Sequence, residues 1–248
     1  MIEIRGLKKS FKDQVVLDGL DLEIGSGEVV AIIGKSGGGK SVLLKHLIGL
    51  LKPDAGTILI NGVDITSVDV HELRKVRQQF GVVFQGSALF DSLTVFGNVA
   101  FPLRERKKLP KEAIRENVLE ALEDVGLRGM GNKYPAEISG GMKKRVALAR
   151  ALIAEPSIVL FDEPTTGLDP LILNSIHRLI THTHRKYRFT GIIISHEIPE
   201  IFDVADKVAM LYNGAIIQYG TPEEIKNTEN PFVRQFITGS SEGPIETL

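Results

Sequence analysis

Gly34-Lys35-Ser36-Gly37-Gly38-Gly39-Lys40-Ser41 is the stretch on which the fold turns. It fits the phosphate-binding pattern G-x-x-x-x-G-K-[ST]. The apolar run Val29-Val30-Ala31-Ile32-Ile33 precedes it, and the segment from Val42 to Leu51 follows it. That order predicts a buried strand, a glycine-rich turn and a helix. Backbone N–H groups of such a turn, together with a helix N-terminus, form an anion cradle. Glycines allow the main chain to approach phosphates without a clashing Cβ. Lys40 then supplies a cation to the β- and γ-phosphates, and the Ser41 hydroxyl is a ligand for Mg²⁺.

The bulk properties limit the rest. The chain has 248 residues, enough for one large domain or a domain with an inserted subdomain. Hydrophobic content of 43% is ordinary for a globular protein with a real core. With 30 basic and 31 acidic residues the net charge is −1, so no domain-wide basic field points to nucleic acid. Cysteine is absent, which excludes disulfides and thiolate metal sites. The start Met1-Ile2-Glu3-Ile4-Arg5 does not resemble a secretory leader. No apolar stretch reaches the length of a membrane span. A role in transport would therefore need a separate membrane-spanning partner.

Around the loop, Ile2, Ile4 and Leu7, then Val15-Val16-Leu17, then the alternating Leu20-Asp21-Leu22-Glu23-Ile24 read as strands. Thr57 to Ile60, Asn61-Gly62 and Val63 read as a hairpin, as does Val208 to Ile217 around Asn213-Gly214. Phe80 to Phe84, Ile158 to Phe161 and Ile192 to Ile194 suit buried parallel strands. Ile114, Val118, Leu122 and Val125 share one helical face, and Gly126 stops that helix. Another helix should begin at Gly140 with Ser139 as N-cap and run to about Ala154. Thr221-Pro222-Glu223-Glu224 is a capping box. The polar tail from about Asn227 to Leu248 reads as a flexible end or an arm on a partner.

Two further clusters carry chemistry. Ile158 to Phe161 leads out of the core into Asp162-Glu163. Beside a phosphate loop, Asp162 would hold Mg²⁺ and Glu163 would polarise an attacking water. Taken alone, the pair is equally a set of solvated acids at a strand end. Ser139-Gly140-Gly141 at a helix N-terminus favours an anion. His182 and His184 lie two apart on a predicted helix and so share no face, which argues against a metal site there.

Ile138-Ser139-Gly140-Gly141-Met142-Lys143-Lys144-Arg145, taken with the phosphate loop, resembles the signature of ABC transporter ATP-binding subunits, and the likeness runs along nearly the whole chain. The resemblance implies a P-loop NTPase (RecA-like) α/β core with an antiparallel β subdomain and an inserted α-helical subdomain. Residues 1–85 and 157–226 would form the nucleotide-binding core with its β subdomain. Residues 86–156 would form the helical subdomain with the signature, and 227–248 the tail. ATP and Mg²⁺ are the implied ligands. Gly34, Lys35, Ser36, Gly37, Gly38, Gly39, Lys40, Ser41 and Val42 would hold phosphates. Gln85 resembles the glutamine that senses Mg²⁺ and links the core to the helical part; alone it is an ordinary polar loop residue. His196, in Ser195-His196, resembles the histidine that contacts the γ-phosphate. Phe11 resembles the aromatic that stacks on adenine, with core packing as its rival role. Ser139, Gly140 and Gly141 would meet the γ-phosphate bound to a second copy, in a head-to-tail homodimer. Thr166-Gly167-Leu168-Asp169 resembles the segment usually written S-A-L-D and keeps its aspartate, Asp169. Met142 replaces the usual signature glutamine, which removes any contact of that side chain but leaves those of Ser139 and the backbone.

Within the family, Phe84 to Val95, the signature segment and Phe236 to Pro244 are most similar to the ATPases of MCE-type lipid transporters, including maintenance-of-lipid-asymmetry systems. That branch implies an integral-membrane permease, an MCE-domain protein, often a small STAS-domain subunit, and a peripheral place on the cytoplasmic face of the inner membrane. The segment after Gln85 would receive the permease. The alternative is the ATPase of an importer for small polar solutes, which shares every catalytic residue. A soluble relative acting on ribosomes or DNA fits poorly, since those chains carry two cassettes or a long coiled-coil insert. A binding-only regulatory subunit fits poorly too, because Lys40, Asp162, Glu163 and His196 are all intact.

Overall fold

Strand β1 (Ile2–Phe11), β2 (Gln14–Ile24) and β3 (Val29–Ile33) lead to helix α1 (Lys40–Leu47). Then follow β4 (Ala55–Ile60), β5 (Val63–Asp64), α2 (Val70–Arg77), β6 (Phe80–Val83), α3 (Val95–Arg106), α4 (Lys111–Asp124) and α5 (Gly140–Leu152). The chain continues through β7 (Ile158–Asp162), α6 (Pro170–Tyr187), β8 (Thr190–Ile194), β9 (Lys207–Tyr212), β10 (Ala215–Gly220), α7 (Pro222–Lys226) and α8 (Pro231–Thr238). This is a computed structural model, and it describes residues 1–106 and 109–246. The chain divides into two units, Met1–Gln78 with Thr190–Leu248, and Gln79–Phe189.

The first unit holds two layers of strands. One is an antiparallel sheet in the order β2-β1-β4-β5. Along β2, Leu20, Leu22 and Ile24 are buried while Asp21 and Glu23 are exposed, the alternation that a sheet with one solvated face demands. The two apolar segments read between Val15 and Ile24 form one strand, which runs on through the polar Asp18 and through Gly19 at φ +71. In the other layer β3 pairs in parallel with both β8 and β9, and β10 closes it antiparallel to β9. Every residue of β3 and β8 is buried, so these runs are apolar without alternation. The Asn61-Gly62 and Asn213-Gly214 turns have positive φ at both residues, the geometry of a tight hairpin.

Helix α1 stops at Leu47, short of the Leu51 expected. Gly49, at φ +65, donates its N–H to His46 O (2.8 Å), and Leu50 N–H reaches Lys45 O (2.8 Å). This pair of bonds satisfies the last carbonyls and ends the helix. The tail also differs from its expectation. Residues 231–238 form α8, capped by the Asn230 side chain, with Val233 buried. Ile245 is buried as well, and its N–H and C=O both bond the Gln235 side chain (2.6 and 3.0 Å). Through Glu246 the tail is therefore folded back onto its own unit; the expectation for 247 and 248 lies outside the described residues.

In the second unit β6 and β7 pair in parallel, Phe80 opposite Ile158 and Val83 opposite Phe161. Helices α3, α4, α5 and α6 belong to the same unit. The predicted face of α4 is realised: Ile114, Val118 and Leu122 are buried, with Val125 just beyond the helix. Parallel strands, an antiparallel sheet and a helical segment together make a P-loop NTPase-type α/β fold. Among the described residues, no helix is long and apolar enough to cross a membrane.

Candidate functional site

The first unit carries the phosphate loop. Its first glycine, Gly34, has φ +150, and a Cβ there would sit 2.2 Å from Leu211 O. Its last, Gly39, has φ +96 and is the N-cap of α1. A side chain at either position would break the turn. No side chain caps α1, and its first turn contains no acid, so the N-terminal N–H groups and the helix dipole favour an anion. Lys40 is buried, and its ammonium donates to Gly34 O (2.6 Å) and Lys35 O (2.9 Å), both carbonyls of the loop it follows. Lys35, Ser36, Gly37 and Ser41 are exposed, while Gly38 and Val42 are half-buried. A glycine-rich turn, a planted cation and an acid-free helix start form a donor set that fits a polyphosphate.

His196 follows the buried Ser195 at the carboxyl end of β8 and is exposed. Because β8 pairs in parallel with β3, Ile32 opposite Ile194, His196 leaves the sheet beside the strand that opens the loop. Ser195 N–H donates to Ile32 O (3.3 Å), and Ser195 Oγ accepts from Glu197 N–H (3.0 Å), which fixes the turn. Phe11 is 43% exposed, which removes the core-packing role, and Lys9 Nζ lies 5.4 Å from its ring.

The second unit carries the carboxylates and the signature. Asp162 ends β7, and Glu163 follows in a left-handed conformation at φ +47, a sparsely populated region for a non-glycine residue. Glu163 Oε2 accepts from Gln85 Nε2 (3.0 Å) and from Thr166 Oγ1 (3.0 Å). Gln85 is exposed, and its main-chain carbonyl accepts from the Lys144 ammonium of α5. The fold thus joins Gln85 and Glu163, which are far apart in sequence. Ser139 and Asp169 cap two helices: Ser139 Oγ accepts from Met142 N–H (3.3 Å) at the start of α5, and Asp169 Oδ1 accepts from Leu171 and Ile172 N–H (3.1 Å each) at the start of α6. Gly140 is exposed, and a Cβ on Gly141 would lie 2.7 Å from Ile172 Cγ2. A side chain at Gly141 would force the Ile172 side chain to shift.

Sequence reasoning missed Lys144 and the Thr166 hydroxyl as members of this cluster. A lysine three residues past the signature glycines reads as a surface charge, and only its burial separates it from Lys143. Beside the cluster lies a groove of about 450 Å³, lined among others by Phe84, Phe90, Phe101, Pro102 and Arg150. Each of the three phenylalanines is more than one-third exposed. Arg150 Cζ stands 5.9 Å from the Phe90 ring while the same side chain donates to Ser87 O and Ala88 O (2.8 and 2.7 Å).

Comparison with known proteins agrees with this geometry. The family model described as ABC transporter matches residues 17–166. A Mycobacterium leprae protein named probable ribonucleotide transport ATP-binding protein mkl is 44% identical over 98% of this chain and 70% of its own length. The intermembrane phospholipid transport system ATP-binding protein MlaF of Haemophilus influenzae is 41% identical over 99% of this chain and 93% of its own. Among solved structures, the ATP-binding cassette MJ0796, in a dimeric post-hydrolysis state bound to ADP and Pi, superposes with a TM-score of 0.81 at 31% identity, covering 90% of this chain and 99% of that one. The phosphate loop in its strand–turn–helix setting, the family match and relatives that align along nearly all of this chain place it: it belongs to the ABC transporter family and hydrolyses ATP.

Proposed function

We propose that this protein is the ATP-hydrolysing subunit of a transporter that moves phospholipid between membranes through a partner permease. The observation that carries this reading is the likeness to MlaF, which runs through 99% of this chain and 93% of the relative. A second reading, a transporter of small polar solutes, draws on the similarly close mkl, whose printed name concerns ribonucleotides, but this chain spans only 70% of that protein.

The chemistry divides among the residues as follows. The loop N–H groups, Lys40 and Ser41 bind the ATP phosphates, and Phe11 offers its exposed face to adenine. Ser41, Asp162 and Gln85 are oxygen donors suited to Mg²⁺, a hard cation. When bound, that ion supplies neutralisation of phosphate charge. Glu163 Oε2 accepts from Gln85 and Thr166, which holds the carboxylate in a defined orientation to polarise the attacking water. His196 contacts the γ-phosphate. Ser139, Gly140 and Gly141 present a helix N-terminus to the nucleotide of a second copy, with Asp169 at the same homodimer face. The groove at Phe84, Phe90 and Phe101, just past Gln85, receives an apolar segment of the permease. An MCE-domain protein, often with a small STAS-domain subunit, joins the permease, and this chain lies peripherally on the cytoplasmic face of the inner membrane.

The test is to recover the tagged chain from detergent-solubilised membranes of its host and identify its companions by mass spectrometry. A permease with an MCE-domain protein and bound phospholipid is the expected result. A permease accompanied by a solute-binding protein would replace phospholipid with a polar solute and leave the catalytic roles standing.

A further inference from the structure

We propose that Lys144 is a positioning residue for hydrolysis: its buried ammonium fixes the loop that carries Gln85 and, through Gln85, the orientation of the Glu163 carboxylate. The inference rests on the reading of Glu163 as the group that polarises water.

Lys144 is 7% exposed, on the helix that begins at the signature glycines. A buried ammonium is costly unless it is well partnered. A position inside a helix whose neighbours Val146, Ala147 and Leu148 are all buried would ordinarily take an apolar side chain. Here the cation reaches the main-chain carbonyl of Gln85. Six residues further along the helix, Arg150 holds the carbonyls of Ser87 and Ala88. Ser87 and Ala88 both have positive φ, at 62° and 46°, a conformation that non-glycine residues keep only when held. The loop from Gln85 to Ala88 is thus tied to α5 by its backbone, whatever its own side chains.

The position of the Gln85 backbone decides where its amide can reach. That amide donates to Glu163 Oε2, the same oxygen that accepts from Thr166 Oγ1. Two donors on one oxygen restrict the rotation of the carboxylate. A chain of contacts therefore runs from the signature helix through Lys144 and Gln85 to Glu163. Loss of the ammonium releases the Gln85 end of the loop, while Arg150 still holds Ser87 and Ala88, and lets the carboxylate turn, which affects water placement more than nucleotide binding. Misplacement on the scale of an ångström costs turnover steeply.

The test compares steady-state ATP hydrolysis by the full chain and its K144M, K144Q, K144R and E163Q variants. For K144M, kcat should fall about tenfold or more, with KM for ATP changed less than about twofold. K144R, which keeps a donor cation of similar reach, should recover most of the loss. If K144M does not fold, K144Q gives the same kcat-against-KM comparison. Wild-type kcat in K144M or K144Q would overturn the proposal, as would a loss that K144R shares in full. E163Q separates the two layers. Inactive E163Q beside wild-type K144M overturns only the role of Lys144, whereas wild-type turnover in E163Q overturns the reading of Glu163 and this inference with it.

Discussion

Gln85 Nε2 lies 3.0 Å from Glu163 Oε2, although 78 residues separate them in the chain. The glutamine lies in the loop two residues past the end of β6, and the glutamate directly follows the neighbouring strand β7. Their contact makes the carboxylate an acceptor in a defined orientation. Replacing Glu163 by glutamine keeps the size and removes the charge and basicity. Turnover should fall by about 10²-fold or more, while ATP binding persists. Phosphate release together with a fluorescent-nucleotide titration checks this; normal steady-state hydrolysis would remove Glu163 from the mechanism.

Lys40 donates to two carbonyls of its own loop, so its ammonium is held where phosphates enter. A hydrogen bond to a charged group contributes about 1.5–3 kcal/mol. Lys40→Ala should therefore weaken ATP binding about tenfold or more, and the same titration reads it. Retained wild-type affinity would refute the cradle.

Asp169 caps α6 with one carboxylate oxygen on two N–H groups. Asp169→Ala should cost about 1 kcal/mol of stability. Urea unfolding should show a lower midpoint with an unchanged slope. An unshifted midpoint would show that the cap adds nothing.

His46, on α1, is buried; its Nδ1 donates to Val42 O (2.8 Å), and its Nε2 has no hydrogen-bond partner among the described residues. Burial is the main cause that lowers its pKa below the ordinary histidine value. The unfolded chain therefore binds this proton first as pH falls. The contribution of His46 is complete above the unfolded pKa of about 6.5 and is lost progressively below it, by at most about 1.4 kcal/mol per pH unit. His46→Leu should flatten the decline of Tm between pH 7 and pH 5. An identical decline in both proteins would contradict the assignment.

Legibility followed the kind of constraint. The phosphate loop was readable because Gly34, Gly39 and Lys40 each answer a local need that few other residues meet. The Asn-Gly hairpins were readable for the same reason. Helix α3 was not: Gly97 and Pro102 interrupt its pattern, and packing rather than propensity makes it helical. The tail held signals that polar composition obscured: Asn230 as cap, Pro231 at the first helical position and Gly239 at the end of α8. Its return to Gln235 depends on a contact ten residues away that no local pattern encodes. The Lys144–Gln85–Glu163 chain is likewise long-range, so the sequence offered its members without their connection.

The most direct measurement places the chain with its co-purified permease in vesicles containing labelled phospholipid and follows lipid transfer to acceptor membranes on adding ATP. The account predicts ATP-dependent transfer with the wild-type chain and none with Glu163→Gln. Transfer that proceeds equally with Glu163→Gln, or ATP hydrolysis by the wild-type complex that moves no phospholipid, would contradict it.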